Sequence, residues 1–438
     1  MTLTELKKAE KEKFKRKKRL AILGSTGSVG KQTLEVVENL KDRIDIVALS
    51  ANKNIEELEK QIIKFKPEAV WVTDDKSAKK LKNNLKKLHK KLLENSKKGI
   101  EEREKKAKKK EEDKVKECSK KIEKIKIFSR EDGVKKLFLN VPIDLILNAI
   151  VGFNGLIPTI LALEMGINLA LANKESLVLA GDLIMGIRKI KGVEIIPVDS
   201  EHSAIFQCFL GRNRKDIDKI ILTASGGPFF GKKIDELKDV PVEQAISHPK
   251  WKMGKKISVD SATLMNKGFE VIEAYHLFGI EPNKIKVLIH PEAIIHSMVQ
   301  FKDGSIIAQL GPTDMRIPIQ YAITYPEMFE SQVEKIDLAK LGKLTFFEPD
   351  LNAFPALRLA YFSLELKKKY STVMAIADEI AVEAYLNGKI KFTDIIKIIE
   401  KVMNEYDGCK DPHLEAYFRA INWAKTKTNR VIREIIKE

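Results

Sequence analysis

The sequence is poor in cysteine: Cys118, Cys208 and Cys409 are far apart, odd in number and without metal-ligand spacing. That argues against a disulfide framework and a thiolate metal site, and the three read as reduced thiols in a cytosol. No apolar run approaches the roughly 20 residues of a membrane-spanning helix. The opening MTLTELKKAEKEKFKRKKRL has neither the apolar stretch nor the small-residue cleavage site of a secretory signal. Its interleaved acids also argue against an organelle transit peptide, so a cytoplasmic protein with no membrane partner is expected. Aromatic residues make up only 7% of the chain, and the lysine-dominated stretch from Lys79 to Lys126 carries very few. Single-strand nucleic-acid binders add stacking aromatics to their basic residues, so that stretch reads first as a solvated helical insertion and only second as a nucleic-acid surface.

What is present is enough for two or three cores: 438 residues with 44% hydrophobic content. Lysine and arginine total 79 against 62 acids, a net charge of +17 that suits anionic partners. Within the insertion, Leu81, Leu85, Leu88 and Leu92 recur at helical spacing and can lay one apolar stripe on a body.

From Arg19 to Asn173 short buried strands (RLAIL, DIVALSA, AVWVTD, IKIFS, DLILNAIVG, NLALAN) alternate with helices starting near Val29, Ile55 and Gly155. That alternation predicts a doubly wound parallel sheet. From Ser176 to about Gly311 the pattern is α+β, with MVQFKDGSIIAQL reading as a hairpin about Asp303-Gly304. Beyond Leu351 the chain reads as helical throughout. The expected fold is α/β: an N-terminal doubly wound, Rossmann-like nucleotide domain, a central α+β catalytic domain and a C-terminal helical bundle. The expected boundaries are a basic tail over 1–18, the nucleotide domain over 19–175 with its insertion at about 79–126, the catalytic domain over 176–325, a linker over 326–350 and the helical domain over 351–438.

LGSTGSVG places Gly24, Gly27 and Gly30 between the first strand and the first helix. A tight turn feeding free helix amides is what a diphosphate needs, although GxxGxxG is weaker than the commoner dinucleotide fingerprint. NAD enzymes place a carboxylate at the end of the second strand. Here that position reads ALSANKN, with Ser50, Asn52 and Lys53, while Asp45 sits at the wrong end of the strand. A phosphorylated ribose, hence NADPH, is expected.

IPVDSEHSAIF ends an apolar run with Asp199 and Glu201, two carboxylates that share a face if the segment is extended. Glu270 lies four residues after Asn266 and three after Lys267, so these occupy one helix face. Together Asp199, Glu201 and Glu270 offer oxygen ligands suited to Mg2+ or Mn2+. The competing reading is that Asp199 or Ser200 merely caps a helix. Ser225 in SGGPF, His248 in HPKWKMGKK, and Ser261, Asn266 and Lys267 in DSATLMNKG supply the donors that a phosphate monoester requires. Taken singly, His248, His290 and His296 read as structural histidines. Trp251 lies in a polar, glycine-containing stretch that suits a closing flap, though it also suits a core. Lys174, in LANKES, follows an apolar strand and can hold a hydroxyl or an oxyanion, or serve only as a surface charge at a helix start.

GSTGSVG, LANKES, PVDSEHSAIFQ, SGGPF, HPKWKMGKKISVDSATLMNKGFE and IHPEAIIHSMV together resemble the 1-deoxy-D-xylulose 5-phosphate reductoisomerase family, over nearly the whole chain from Arg19. The resemblance implies NADPH and a divalent cation, Mg2+ or Mn2+ with Co2+ as a third candidate. It implies isomerisation of the substrate, by retroaldol and aldol recombination in the favoured scheme, and reduction to 2-C-methyl-D-erythritol 4-phosphate in the non-mevalonate isoprenoid pathway. Carried over by position, Asp199, Glu201 and Glu270 would hold the metal. Ser200, Lys174 and Glu201 would contact the substrate backbone, and Ser225, His248, Ser261, Asn266 and Lys267 its phosphate. Trp251 and Met253 would belong to the flap, and Lys174, Glu201, His248 and Trp251 are the residues expected to carry catalysis. Thr26, Gly27, Ser28, Val29, Lys53, Asn54, Asn173 and Glu175 would line the NADPH site. The family is typically a homodimer, for which the Asp303 hairpin is a reasonable interface element. The lysine-rich segment and the basic tail before Arg19 are additions to the family pattern. Two rivals remain at this level: a simple NADP-dependent dehydrogenase acting on a phosphorylated hydroxy or keto acid without rearrangement, and a nucleic-acid-binding protein using the basic insertion.

Overall fold

In a computed structural model, residues 16–98, 119–251 and 253–437 are described. Strand β1 (Lys18–Leu23) forms where the chain first turns apolar, and its last four residues, Leu20 to Leu23, are fully buried. It pairs in parallel with β2 (Ile44–Ala51) on one side and β5 (Leu145–Asn148) on the other. Beyond β2 follow β3 (Ala69–Val72) and β4 (Lys126–Ser129), also parallel. With β6 (Asn168–Leu171) and β7 (Ile195–Pro197) the seven-stranded order is β4-β3-β2-β1-β5-β6-β7. The chain therefore reverses its direction of travel across the sheet at β1, and the carboxyl ends of β1, β2 and β5 open a crevice there.

Helix α1 (Ser28–Asn39) enters directly from the glycine turn, and α2 (Ile55–Phe65) starts at Asn54, whose side chain accepts from the Glu57 amide. Helix α3 (Asp75–Lys98) opens the lysine-rich insertion with Leu81 and Leu85 buried and Leu88 half-buried, as the leucine spacing predicts. The Leu92 side chain, residues 99–118 of the insertion and residues 1–15 of the basic tail lie outside the described residues. Helices α4 (Gly133–Asn140) and α5 (Leu156–Glu164) complete the alternation. Helix α6 (Lys174–Lys191) is capped by Asn173, which accepts from the Ser176 amide, and stops at Gly192 in the left-handed region.

A second sheet has the order β11-β10-β8-β9. Strands β8 (Ile217–Ala224) and β9 (Ile285–Ile289) are parallel, while β10 (Ile295–Phe301) runs antiparallel to β8 and to β11 (Ile306–Leu310). The β10–β11 hairpin turns where expected, with the Asp303 carboxylate accepting from the Ser305 amide at 2.9 Å. Helix α7 (Ser200–Cys208) precedes β8, α8 (Lys255–Thr263) and α9 (Met265–Phe278) lie between β8 and β9, and α10 (Arg316–Thr324) follows β11. The stretch 326–350 is largely irregular, but Phe347 exchanges two backbone hydrogen bonds with Ile289, so it is stitched to β9. Helices α11 (Ala356–Leu366), α12 (Tyr370–Leu386), α13 (Phe392–Asn404) and α14 (Leu414–Lys437) close the chain, with α12 packed against both α13 and α14.

The chain divides into two compact units. One comprises 1–150 with 161–170, and the other 151–160 with 171–438. The glycine turn lies in the first, and every candidate metal and phosphate residue lies in the second.

Candidate active site

In the first unit the turn after β1 is shaped by what it cannot contain. Gly24 has φ +78°, and a Cβ on it would meet the Ala149 carbonyl oxygen at 2.7 Å; one on Gly30 would meet the Gly24 oxygen at 2.4 Å. Backbone is thus packed on backbone, leaving the first turn of α1, at Ser28 and Val29, without an acidic side chain to occupy its amides. That arrangement fits a diphosphate. Ser25 is tied down beneath it, its hydroxyl donating to Gln61 Oε1 at 2.7 Å, and Ser50 Oγ accepts from the Gly24 amide. Thr26 sits inside the turn, Lys53 follows the carboxyl end of β2, and Asp45 lies at the opposite end of that strand.

In the second unit, Asp199 and Glu201 meet by a different route from the one their spacing suggests. Strand β7 stops at Pro197, so these residues do not alternate along a strand. Asp199 is the N-cap residue of α7, with φ −56° and ψ 133°, and makes no side-chain cap bond; Glu201 lies in the first helical turn. The extended N-cap geometry swings Asp199 over the helix start. Its carboxylate and those of Glu201 and Glu270 come within 4.8 Å of one another. Asp199 therefore occupies the N-cap position without capping the helix, and that position brings it into the cluster.

Lys174 Nζ pairs with Asp199 and donates to Glu270 Oε1 at 3.0 Å and to Asn266 Oδ1 at 2.9 Å. Lys267 Nζ pairs with Glu270 and donates to Glu201 Oε1 at 2.8 Å and to the Thr223 carbonyl at 2.5 Å. Asn266 donates to Glu270 Oε1 at 2.7 Å, so the expected helix face of α9 is formed. Ser200 donates to Glu201 Oε2 at 2.5 Å. Burial, together with the Glu270 carboxylate, pushes Glu201 up to about 7 against the pull of Lys267. Burial alone would raise Asp199 as well, but Lys174 and His202 more than offset it and hold its carboxyl below the usual range. Both ammoniums are raised, the carboxylates outweighing burial. A hard oxygen set this crowded, with one member at the edge of protonation, fits a divalent cation.

The phosphate candidates split. Ser225 Oγ is 3.0 Å from His248 Nε2, and His248 Nδ1 accepts from the amides of Lys250 and Trp251. Those two contacts place the proton on Nε2, aimed at Ser225. Burial lowers His248 to about 4, keeping it a neutral donor. Gly227, at φ +68°, has its α-carbon so close to α8 that a Cβ would lie 2.7 Å from the Ser261 carbonyl oxygen, which brings the SGG turn against Ser261. Asn266 and Lys267, by contrast, turn toward the carboxylates rather than toward Ser225 and His248. Trp251 is half-buried, its ring 6.4 Å from that of His296, and belongs neither to a core cluster nor to open solvent. Asn173 donates to the Gly152 carbonyl and to Glu175 Oε2.

Sequence profiles of 1-deoxy-D-xylulose 5-phosphate reductoisomerase match residues 20–115 and 100–181, and those of its C-terminal domains match 195–278 and 310–427. The chain is 46% identical over 399 residues to the 1-deoxy-D-xylulose 5-phosphate reductoisomerase of Caldanaerobacter subterraneus subsp. tengcongensis, covering 91% of this chain and 95% of that one. The chain belongs to the 1-deoxy-D-xylulose 5-phosphate reductoisomerase family. The reductoisomerase of Ruminiclostridium cellulolyticum is likewise 46% identical, over 94% of this chain and 99% of its own. Among solved structures, the Zymomonas mobilis reductoisomerase in complex with NADPH superposes with TM-score 0.82 at 37% identity, covering 95% of this chain and 99% of that one. A reductoisomerase bound to NADPH, fosmidomycin and magnesium superposes with TM-score 0.83 at 34% identity, covering 96% and 98%. Membership disfavours both the simple dehydrogenase and the nucleic-acid reading.

Sequence reasoning missed two features of this reductoisomerase site. His202 Nε2 donates to the Glu270 backbone oxygen at 2.8 Å, and its Nδ1 lies 3.3 Å from the fully buried Glu273, which burial and Asp199 drive well above the usual carboxyl range. Glu273 is one turn beyond Glu270, a spacing that could have signalled it. The other is a buried Lys256–Asp260–Asp378 cluster. Its last member is more than 100 residues away in sequence and gives no local signal.

Proposed function

We propose that this chain converts 1-deoxy-D-xylulose 5-phosphate to 2-C-methyl-D-erythritol 4-phosphate, as an NADPH- and divalent-metal-dependent enzyme. The convergence of Asp199, Glu201 and Glu270 beside Lys174, in a chain of this family, is the observation that carries the reading. We assign the three carboxylates as the ligands of a Mg2+ or Mn2+ ion, which would polarise the substrate carbonyl and stabilise negative charge on the rearranging skeleton. The glycine turn at Thr26 to Val29, with Lys53 and Asn54, would hold NADPH; bound there, NADPH supplies hydride.

The side chains divide the remaining work. Lys174, its charge secured by Asp199 and Glu270, orients a substrate oxygen and can follow charge as it develops. The Ser200 hydroxyl, bonded to Glu201, fixes a neighbouring substrate hydroxyl. Ser225, the Nε2–H of His248, and Ser261 present donors to the phosphate. In this reading Asn266 and Lys267 would reach it from α9, their present carboxylate partners Glu201 and Glu270 being the groups that would hold the cation. Trp251 and Met253 cover the bound substrate and exclude water, so that phosphate binding energy is used in closure.

A homodimer is inferred as well. The outer edge of β11, with Ile306 and Leu310 exposed, supports it, and sedimentation velocity tests it. Among the described residues no helix is long and apolar enough to cross a membrane, and we place the enzyme in the cytoplasm.

The test is NADPH oxidation, followed by its near-ultraviolet absorbance, with 1-deoxy-D-xylulose 5-phosphate as substrate. It is run with Mg2+ or Mn2+ and then with excess chelator, on wild type and Glu201→Gln. Metal-dependent oxidation that collapses in a variant still folded and still binding NADPH supports the reading. Absence of oxidation with every metal overturns it.

A further inference from the structure

The flap that carries Trp251 and Met253 lies between Ala245 and the start of α8 and has two roots. One is the segment through Val240 that leads into it, and the other is the start of α8, which carries Ser261. Both are gripped by α12. The Tyr385 hydroxyl donates to the Val240 carbonyl at 3.0 Å, and Lys256 Nζ donates to Asp378 Oδ2 at 2.7 Å and to Asp260 Oδ2 at 2.5 Å. Asp378 and Tyr385 are seven residues apart, so they share one face of α12 about 10 Å apart along its axis. Thr372, nearer the start of the helix, donates to the Leu179 carbonyl at 2.7 Å, tying α12 to the helix that begins at Lys174.

These contacts are buried and chemically selective. Asp378 is fully buried and Tyr385 is 2% exposed. Burial raises the Tyr385 hydroxyl to about 12, so it stays a donor. The Asp260 and Asp378 Oδ1 atoms are buried without a hydrogen-bond partner, and Lys256 bridges the two carboxyls. Burial and the neighbouring Asp378 push Asp260 well above the usual carboxyl range, so the pair holds a proton and Lys256 balances the single charge that is left. Lys256 also lies 4.8 Å from the centroid of the Phe269 ring. Phe392 packs edge-on against both Tyr385 and Phe229, the latter two residues past Gly227, which extends the grip to the SGG turn. Among the described residues, Lys256, Asp260, Asp378 and Tyr385 make their hydrogen bonds and ion pairs away from Asp199, Glu201 and Glu270.

We propose that the Asp378–Tyr385 face of α12 is a clamp that fixes the span between the two flap roots, which makes Lys256, Asp378 and Tyr385 positioning residues for binding the phosphorylated substrate. The inference rests on the functional reading above. The clamp sets where the flap starts and ends, so loosening it makes closure over the phosphate less favourable while leaving the carboxylate cluster in place.

The experiment compares wild type, Tyr385→Phe, Lys256→Met and Lys256→Arg in the NADPH oxidation assay, with limited trypsin digestion at the flap lysines with and without substrate. Thermal melting reports folding. In Tyr385→Phe the KM for 1-deoxy-D-xylulose 5-phosphate rises about 3- to 10-fold, the scale of one buried hydrogen bond. Its kcat and its KM for NADPH stay within about twofold, and substrate protects the flap from trypsin less well than in wild type. Lys256→Met shows a larger rise, part of which Lys256→Arg restores. Tyr385→Phe removes a single oxygen and keeps the proposal testable if Lys256→Met does not fold. An active wild type with unchanged substrate KM and flap protection in the folded variants overturns the clamp alone. So does a parallel loss in kcat and both KM values. A wild type without metal-dependent oxidation overturns the functional reading and the clamp with it.

Discussion

Lys267→Met tests the electrostatic logic of the carboxylate cluster most directly. Lys267 is 3% exposed and lies against Glu201 Oε1, Glu270 and the Thr223 carbonyl. At an effective dielectric of about 20, a unit charge pair at the 2.8 Å Lys267–Glu201 separation interacts by about 6 kcal/mol, and desolvation cancels part of that. Removing one partner of a buried pair leaves the other uncompensated, at a cost of about 3–5 kcal/mol. Methionine keeps the length and apolar stem, so the loss is mainly charge. The second compact unit, which carries Lys267, should in the metal-free variant melt roughly 5–9 °C below wild type by differential scanning calorimetry. Magnesium should restore much of the difference, since saturation at about 100 times Kd returns about 2.7 kcal/mol to the folded state. The deficit should also shrink below pH 7. Glu201 has a folded-state value raised to about 7 from 4.5, so its protonated form favours the fold below 4.5 and that benefit is lost as pH rises through 7. A metal-free shift under about 2 °C, or one indifferent to magnesium and pH, would refute the reasoning. Lys238→Met, which removes an exposed pair with Asp235, serves as the control and should leave the melt unchanged.

Three further outcomes are expected. Magnesium must displace a proton from Glu201, so its apparent affinity should rise by about tenfold per pH unit below 7 and level off above; titration calorimetry in two buffers of different ionisation enthalpy measures the proton released, and a flat profile refutes this. Gly30→Ala puts a Cβ 2.4 Å from the Gly24 oxygen, so it should lose NADPH binding, read by cofactor fluorescence, while the magnesium-induced stabilisation of the second unit persists. His248→Ala should raise the substrate KM about 10- to 100-fold with little change in NADPH binding, because it removes a donor and leaves Ser225 Oγ and two flap amides without their partner; an unchanged KM would take His248 out of the phosphate pocket.

The local periods and punctuation of the sequence determined a good deal. Apolar runs of strand length, each followed by a helical period, specified the elements around Leu20, Val47 and Ile146, because burying a strand on both faces admits little else. Gly24 and Gly30 were legible for the same kind of reason: where backbone must touch backbone, only glycine fits. The face shared by Asn266, Lys267 and Glu270 followed from helical geometry alone. What the tertiary structure decided is everything that depends on residues distant along the chain. Asp199 and Glu201 converge through a helix cap and not a strand, since the chain bends after Pro197. Lys174 reaches Asp199 and Lys267 reaches Glu201 because buried charge must be paired within reach, and those pairings are written in no local pattern. Asp378 and Tyr385 grip the flap roots from more than 100 residues away, a contact that exists only once the C-terminal helices have packed.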